Sequence, residues 1–250
     1  MTTRSIIMKK MDRGEADETV IFISRENGWL TGIAKNSRKS RVRFGGHLEP
    51  FCVVDLAIRS RKKDNMVWID ESHMFKGFLK IRGNMDSLAR VCYFFELASV
   101  FLPEAQPDPN VFDFLENFLE TLDSSNPGPI ELMVGEIYLL GLLGFMPSFS
   151  NCPLCGQGFD SNAEAFFSPL LGGAVHRGCA EYDASAHINL SPATLAALRH
   201  GLNADSRLVG RIRLSTRAEK EIRASLSAFV RCLRGEDIKS LRFMENAGYV

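Results

Sequence analysis

Residues 19–35 have the sequence TVIFISRENGWLTGIAK. Two runs rich in β-branched and aromatic residues, 19–24 and 29–35, flank the segment 25–28, whose Asn-Gly pair suits a β-hairpin turn. A second pair of such runs, 51–58 and 66–69, follows, and residues 4–10 supply an opening strand. Five short strands within about 80 residues predict a small closed barrel of OB type.

Helical periodicity replaces this pattern after residue 84. Apolar residues recur at 3.6-residue spacing up to Pro103, and a second such run opens at Pro107-Asp-Pro109. Residues 132–145 are apolar on nearly every side, which predicts a central buried helix. Ser191-Pro192 starts a further helix with Ser at the N-cap, and a last one covers about 216–233. The sequence therefore predicts an α+β chain of more than one domain.

A metal-binding pattern lies in the glycine-rich stretch 151–181, which we expect to be irregular. Cys152 and Cys155 are separated by two residues, as are His176 and Cys179. Three thiolates and one imidazole at this spacing are typical of a closed, structural zinc site. Chance burial of three cysteines is the alternative, and His187 is a second candidate for the fourth ligand.

The zinc pattern differs from that of a catalytic centre. Four protein ligands leave no open coordination position, and a nucleobase deaminase has an H-x-E motif before P-C-x-x-C. Here the histidine follows the first cysteine pair, and no glutamate stands two residues after it. We expect zinc to stabilise a segment that is too poor in apolar residues to fold by itself.

The charge of the chain is zero overall but unevenly distributed. Residues 1–80 hold 16 Lys and Arg against 10 Asp and Glu, residues 81–187 hold 3 against 14, and residues 188–250 hold 11 against 6. Two basic ends flanking an acidic middle indicate contact with nucleic acid.

Two basic clusters fall within the predicted barrel, in loops between strands. Phosphate backbones favour such clusters through counterion release, whereas the ordinary alternative is a solvated turn. We expect DNA contacts from Lys35, Arg38, Lys39, Arg41, Arg43, Arg59, Arg61, Lys62 and Lys63. Trp29 and Trp68 alternate with apolar neighbours, so we expect core positions rather than stacking platforms.

Several ordered segments resemble the RecO family of bacterial DNA repair proteins. No single segment is very specific, but the set covers nearly the whole chain in order. The segments are 13–17 (RGEAD), 28–34 (GWLTGIA), 40–50 (SRVRFGGHLEP), 142–147 (LLGFMP), 166–169 (FFSP), Gly172-Gly173 and 238–243 (IKSLRF). His176 departs from zinc-bearing relatives, which often have a cysteine there, and some relatives lack the cysteines.

The resemblance implies an N-terminal OB domain, a helical domain and a zinc-binding insertion. We place them at 1–80, at 81–148 with 188–250, and at 149–187. It also implies binding of single- and double-stranded DNA, strand annealing, and partnership with RecR and the C-terminal tail of single-stranded DNA-binding protein, so that RecA is loaded. The basic face of the last long helix is a candidate dock for that acidic tail, through Arg217, Lys220, Arg231 and Arg234.

The remaining features bear on function class and location. No Walker A loop, nucleophile elbow or HExxH motif occurs, so we expect a protein that is not an enzyme. Without a signal peptide or a membrane span, we expect a cytoplasmic, nucleoid-associated protein. Two other hypotheses stay open: an OB-fold adaptor that binds protein instead of DNA, and a zinc-dependent hydrolase or deaminase.

Overall fold

Five strands at the start of the chain form a closed barrel in the computed structural model, which describes residues 1–61, 66–160, 162–185, 188–204 and 209–247. They pair in the order β1-β2-β3-β5-β4, with β4 returning to β1. The predicted OB-type barrel is confirmed. The strands are β1 (Thr2–Arg13), β2 (Asp17–Ser24), β3 (Gly28–Ala34), β4 (Val53–Ser60) and β5 (Val67–Lys76).

The turn between β2 and β3 depends on one glycine. Gly28 has a φ of +69°, and a Cβ atom there would collide with the backbone of Gln106. The predicted turn is therefore present. Glycine is required there both for the backbone conformation and for the close approach of the Gln106 backbone.

Residues 1–125 form one compact unit, and in its described part four helices accompany the barrel. They are α1 (Arg41–Phe44), α2 (Leu79–Arg82), α3 (Met85–Phe101) and α4 (Pro109–Ser124). Asn84 caps α3, and Asp108 caps α4, because their side chains accept hydrogen bonds from backbone N–H groups of the first turn. Arg25, in the β2–β3 turn, donates to both carboxylate oxygens of Asp113 on α4, at 2.8 and 3.0 Å.

The second compact unit is Asn126–Val250. A small antiparallel sheet has the order β7-β6-β8. The unit's elements are α5 (Pro129–Leu142), β6 (Ala165–Ser168), β7 (Gly173–His176), β8 (Ile188–Leu190), α6 (Pro192–Asn203), α7 (Thr216–Arg234) and α8 (Lys239–Ala247).

Two expectations for this second unit are wrong in detail. Helix α5 is not buried on every side, because Tyr138 is exposed while Glu136 is buried in an ion pair with Arg223 of α7. The stretch 151–181 is not irregular throughout, because β6 and β7 form a hairpin within it. The two strands have only four residues each and are joined through Gly172, which has a φ of +61°. Such short strands in a glycine-rich stretch have no recognisable alternation in the sequence.

The predicted domain boundaries at residues 80, 148 and 187 remain a prediction. The first compact unit ends at Ser125, so α3 and α4 belong with the barrel by their contacts. Within the ranges that the structure describes, no helix is long and apolar enough to cross a bilayer.

Candidate metal centre and basic surface

Four side chains meet at one point of the second unit: Cys152, Cys155, His176 and Cys179. Their potential ligand atoms all lie within 4.8 Å of one another. The first two follow α5, whereas His176 is the last residue of β7 and Cys179 stands in the turn after it. The structure thus brings together the four residues that the spacing singles out as metal ligands.

Each cysteine-containing pair is shaped by a backbone turn. The Gly156 N–H donates to the carbonyl of Cys152 at 2.8 Å, and the Cys179 N–H donates to the carbonyl of His176 at 2.9 Å. Gly156 has a φ of +74°, the left-handed conformation that glycine adopts without steric cost. Both turns fold their two side chains toward the same side, as a bidentate grip on one ion requires.

The His176 ring is held by contacts on both nitrogens. Its Nδ1 lies 3.3 Å from Sγ of Cys155, and its Nε2 lies 3.2 Å from the carbonyl oxygen of Gly158. The Phe159 ring lies against the imidazole, with centroids 4.4 Å apart. Since a carbonyl only accepts, Nε2 carries the proton and Nδ1 offers its lone pair to the thiol cluster.

The thiols influence one another's ionisation. Burial opposes ionisation of Cys152, but backbone N–H groups of His176, Cys155 and Leu154 lower the pKa of its thiol to about 6. Desolvation and the neighbouring sulfurs of Cys155 and Cys152 raise the pKa of Cys179 to about 11. One thiolate thus disfavours the next, and a divalent cation at the centre would relieve that repulsion.

The donor set fits a zinc ion. Three sulfurs and one imidazole nitrogen are soft and intermediate donors that together complete a tetrahedron. Bound there, zinc would cross-link the loop after α5 to the turn after β7. His187, the other candidate for the fourth ligand, lies outside the described residues.

The first basic cluster follows β3 and continues into α1. Lys35, Arg38, Lys39 and Arg41 are exposed, and Arg38 forms an ion pair with Asp12 at 3.4 Å. Lys39 and Arg41 have no ion pair within the described ranges. These two side chains are therefore the most available to an external phosphate.

Arg43 differs from the other members of the first cluster. Its guanidinium donates to the carbonyl of Lys35 at 2.9 Å, to the hydroxyl of Ser40 at 3.3 Å and to the carbonyl of Asp70 at 3.5 Å. These bonds join the segment after β3 to β5. The predicted DNA contact at Arg43 remains untested, but this side chain already has a role within the barrel.

The second cluster begins at the end of β4. Arg59 forms a two-bond ion pair with Asp70 at 2.9 and 3.0 Å and holds the pKa of that carboxyl below its ordinary value. Arg61 lies with its Cζ 4.8 Å from the ring centroid of Trp68. Lys62 and Lys63 lie outside the described residues.

Trp68 is the site residue that the alternation of apolar residues did not identify. The core expectation is confirmed for Trp29, which is 6% exposed, but Trp68 is half-buried. Lys35 of the first cluster also lies over its ring, with Nζ 4.4 Å from the centroid. The two basic clusters therefore meet at one indole. The available signal in the sequence was a tryptophan five residues after the second cation-rich segment, 59–63.

Most of the candidate docking residues on α7 form ion pairs with nearby carboxylates. Arg217 pairs with Glu221, Arg231 with Asp237 and Arg234 with Glu236. Lys220 is exposed. An acidic partner at this helix would have to compete with carboxylates of the same unit.

Comparison with known proteins matches both parts of the chain to one family. Residues 1–78 match the family model described as Recombination protein O N terminal, and residues 82–242 match Recombination protein O C terminal. The chain is 32% identical to the DNA repair protein RecO of Myxococcus xanthus over 244 residues, which covers 98% of this chain and 96% of that protein. It is 30% identical to the protein of the same description from Anaeromyxobacter sp. (strain K), covering 97% and 95%.

Proposed function

Because the chain belongs to the RecO family of DNA repair proteins, we propose that it is a mediator of recombinational repair. It binds single- and double-stranded DNA, promotes annealing of complementary strands and, together with RecR, helps to load RecA onto DNA coated by single-stranded DNA-binding protein. These steps require binding and release of strands rather than covalent chemistry, so the proposal includes no enzymatic activity.

The convergence of the two basic clusters on the barrel is the observation that carries this proposal. We use the term basic face for Lys35, Lys39, Arg41, Arg59 and Arg61. These residues lie on or beside the outer wall formed by β3, β4 and β5. Cations gathered in this way release the counterions of a nucleic acid backbone, which supplies most of the affinity for any sequence.

The other parts of the proposal concern zinc, partners and location. Zinc bound by Cys152, Cys155, His176 and Cys179 has a structural role. RecR and the C-terminal tail of single-stranded DNA-binding protein are protein partners, and α7 with its exposed Lys220 is the candidate dock for that tail. The protein works in the cytoplasm, on the nucleoid.

Charge reversal on the basic face tests the DNA-binding step. The double variant Lys39→Glu, Arg41→Glu should bind a labelled single strand more weakly at about 0.15 M salt. If two phosphate contacts are lost, the slope of log K against log salt should fall by about 1.4. Fluorescence anisotropy across a salt series measures both quantities.

The double variant Lys220→Glu, Arg242→Glu is a matched control, because it reverses two exposed charges in the other unit. It should keep the wild-type slope. If wild-type protein binds DNA only at very low salt, the OB-fold adaptor hypothesis is correct and the mediator proposal is wrong.

A further inference from the structure

Trp68 projects from the outer wall of the barrel. Its neighbours on β5, Val67 and Ile69, both pack into the barrel core. Because successive side chains of a strand point to opposite faces, Trp68 faces outward. Ile33 of β3 and Arg59 of β4 are its partners on the two adjoining strands.

Cations from both adjoining strands lie over this indole. Lys35 follows β3 directly, Arg61 follows β4, and their charged groups lie 4.4 and 4.8 Å from the ring centroid. Lys35 forms no ion pair within the described ranges. The arrangement brings two positive groups onto one half-buried indole of the outer wall.

We propose that Trp68 is a stacking platform for one base of a single strand, with Lys35 and Arg61 bound to the phosphates on either side of that nucleotide. This inference rests on the proposed function and deepens it. In the absence of DNA, the two cations lie over the indole ring in cation–π contacts, which are weak at exposed sites. A base stacks more strongly on an aromatic ring, so it displaces the cations toward the phosphates.

The platform distinguishes single from double strands. Bases of a duplex are already stacked on their neighbours, so a duplex gains nothing from the indole and is held through its phosphates alone. A strand that pairs with its complement must leave Trp68. The duplex product is therefore bound more weakly than the single strands, which favours its release.

Phe75 on the same strand offers a matched comparison. It is 49% exposed and also lies beneath two cations, Arg4 at 3.5 Å and Lys76 at 5.8 Å. Arg4 is paired with Asp55, and Lys76 with Glu120. Both cations over Phe75 are thus engaged by carboxylates, whereas Lys35 over Trp68 forms no ion pair within the described ranges, so we assign no base to Phe75.

Tryptophan fluorescence tests the platform directly, because the chain has two tryptophans and Trp29 is shielded in the core. Oligothymidylate should quench the emission of wild-type protein, and Trp68→Phe should remove most of that quenching. By anisotropy, Trp68→Leu should weaken binding of the single strand about tenfold and leave duplex binding unchanged. Phe75→Leu should leave both unchanged.

Each other result contradicts the platform. Equal quenching in wild-type protein and Trp68→Phe, or equal single-strand affinity in Trp68→Leu and Phe75→Leu, would remove Trp68 from the site while leaving DNA binding intact. Equal weakening of single-strand and duplex binding by Trp68→Leu would make its role structural. Absence of binding to any DNA at about 0.15 M salt would overturn the proposed function together with this inference.

Discussion

Residues of the same charge have different roles in the first basic cluster. Arg41 extends into solvent, whereas Arg43, two positions later, donates to the backbone carbonyl of Lys35 and to that of Asp70 on β5. Removal of the Arg43 guanidinium would leave these carbonyl oxygens without that hydrogen-bond donor, which costs stability. Weak DNA binding by an Arg43 variant could therefore come from a lost DNA contact or from a destabilised barrel. A measurement of the variant's folding separates the two causes.

The metal centre makes a residue-scale prediction. Cys179→Ser should lower zinc affinity more than about 100-fold, since even substitutions outside the ligand set cost 10- to 100-fold. His176→Cys should retain zinc, because four cysteines also form a closed site. Zinc content after competition with a chelator, measured by mass spectrometry, gives both values.

Cys232→Ser is the control for a lost thiol, because Cys232 is exposed and outside the cluster. Chelation should also lower the melting temperature of wild-type protein and leave that of Cys179→Ser nearly unchanged. Equal zinc retention by Cys179→Ser and Cys232→Ser would exclude Cys179 as a ligand.

How far each site can be predicted from the sequence depends on whether the residues that form it are close together in the chain. The zinc ligands stand in two short turns, so their spacing predicted the set that the structure brings together. Trp68 has the same alternation as a core residue, and only the barrel's register places it on the outer wall. The bonds of Arg43 reach β5 across 27 residues and have no local signal.

At the scale of elements, α6 and α7 are joined by one carboxylate. Glu221 on α7 accepts hydrogen bonds from the backbone N–H and the hydroxyl of Ser191, each at 2.9 Å, and from the hydroxyl of Thr194. It thereby caps the start of α6, which Ser191-Pro192 predicted. The sequence identified the cap but not its partner from the other helix.

Glu221→Gln should destabilise the protein by about 1–3 kcal/mol at pH 7, because it weakens hydrogen bonds to a charged acceptor. Burial opposes ionisation of Glu221, but hydrogen bonds from Thr194 and Ser191 outweigh burial and place its pKa below the ordinary 4.5. Its contribution is therefore complete above pH 4.5 and is lost as the pH falls through the lowered pKa.

Denaturant unfolding of wild-type protein and Glu221→Gln at several pH values measures this contribution. The difference between the two proteins cancels the titration of shared groups. It should be constant from pH 7 to the ordinary pKa of 4.5 and shrink below that. A difference that grows on acidification would mean that the carboxyl is protonated in the folded protein.

At the scale of the whole molecule, net charge is unevenly distributed along the chain. Residues 1–80 carry a net charge of +6 and residues 81–187 one of −11, within a total of zero. In the proposed function, repulsion between DNA and the acidic residues would restrict the strands to the basic regions. This separation would allow a neutral protein to bind a polyanion through the barrel, as the proposed function requires.

The most direct test of the account is the rate at which two complementary oligonucleotides, both coated with the cognate single-stranded DNA-binding protein, form duplex with and without this protein. The account predicts faster duplex formation with wild-type protein and little or no acceleration with Lys39→Glu, Arg41→Glu. A rate that wild-type protein leaves unchanged, although it binds the naked strands at about 0.15 M salt, would contradict the account.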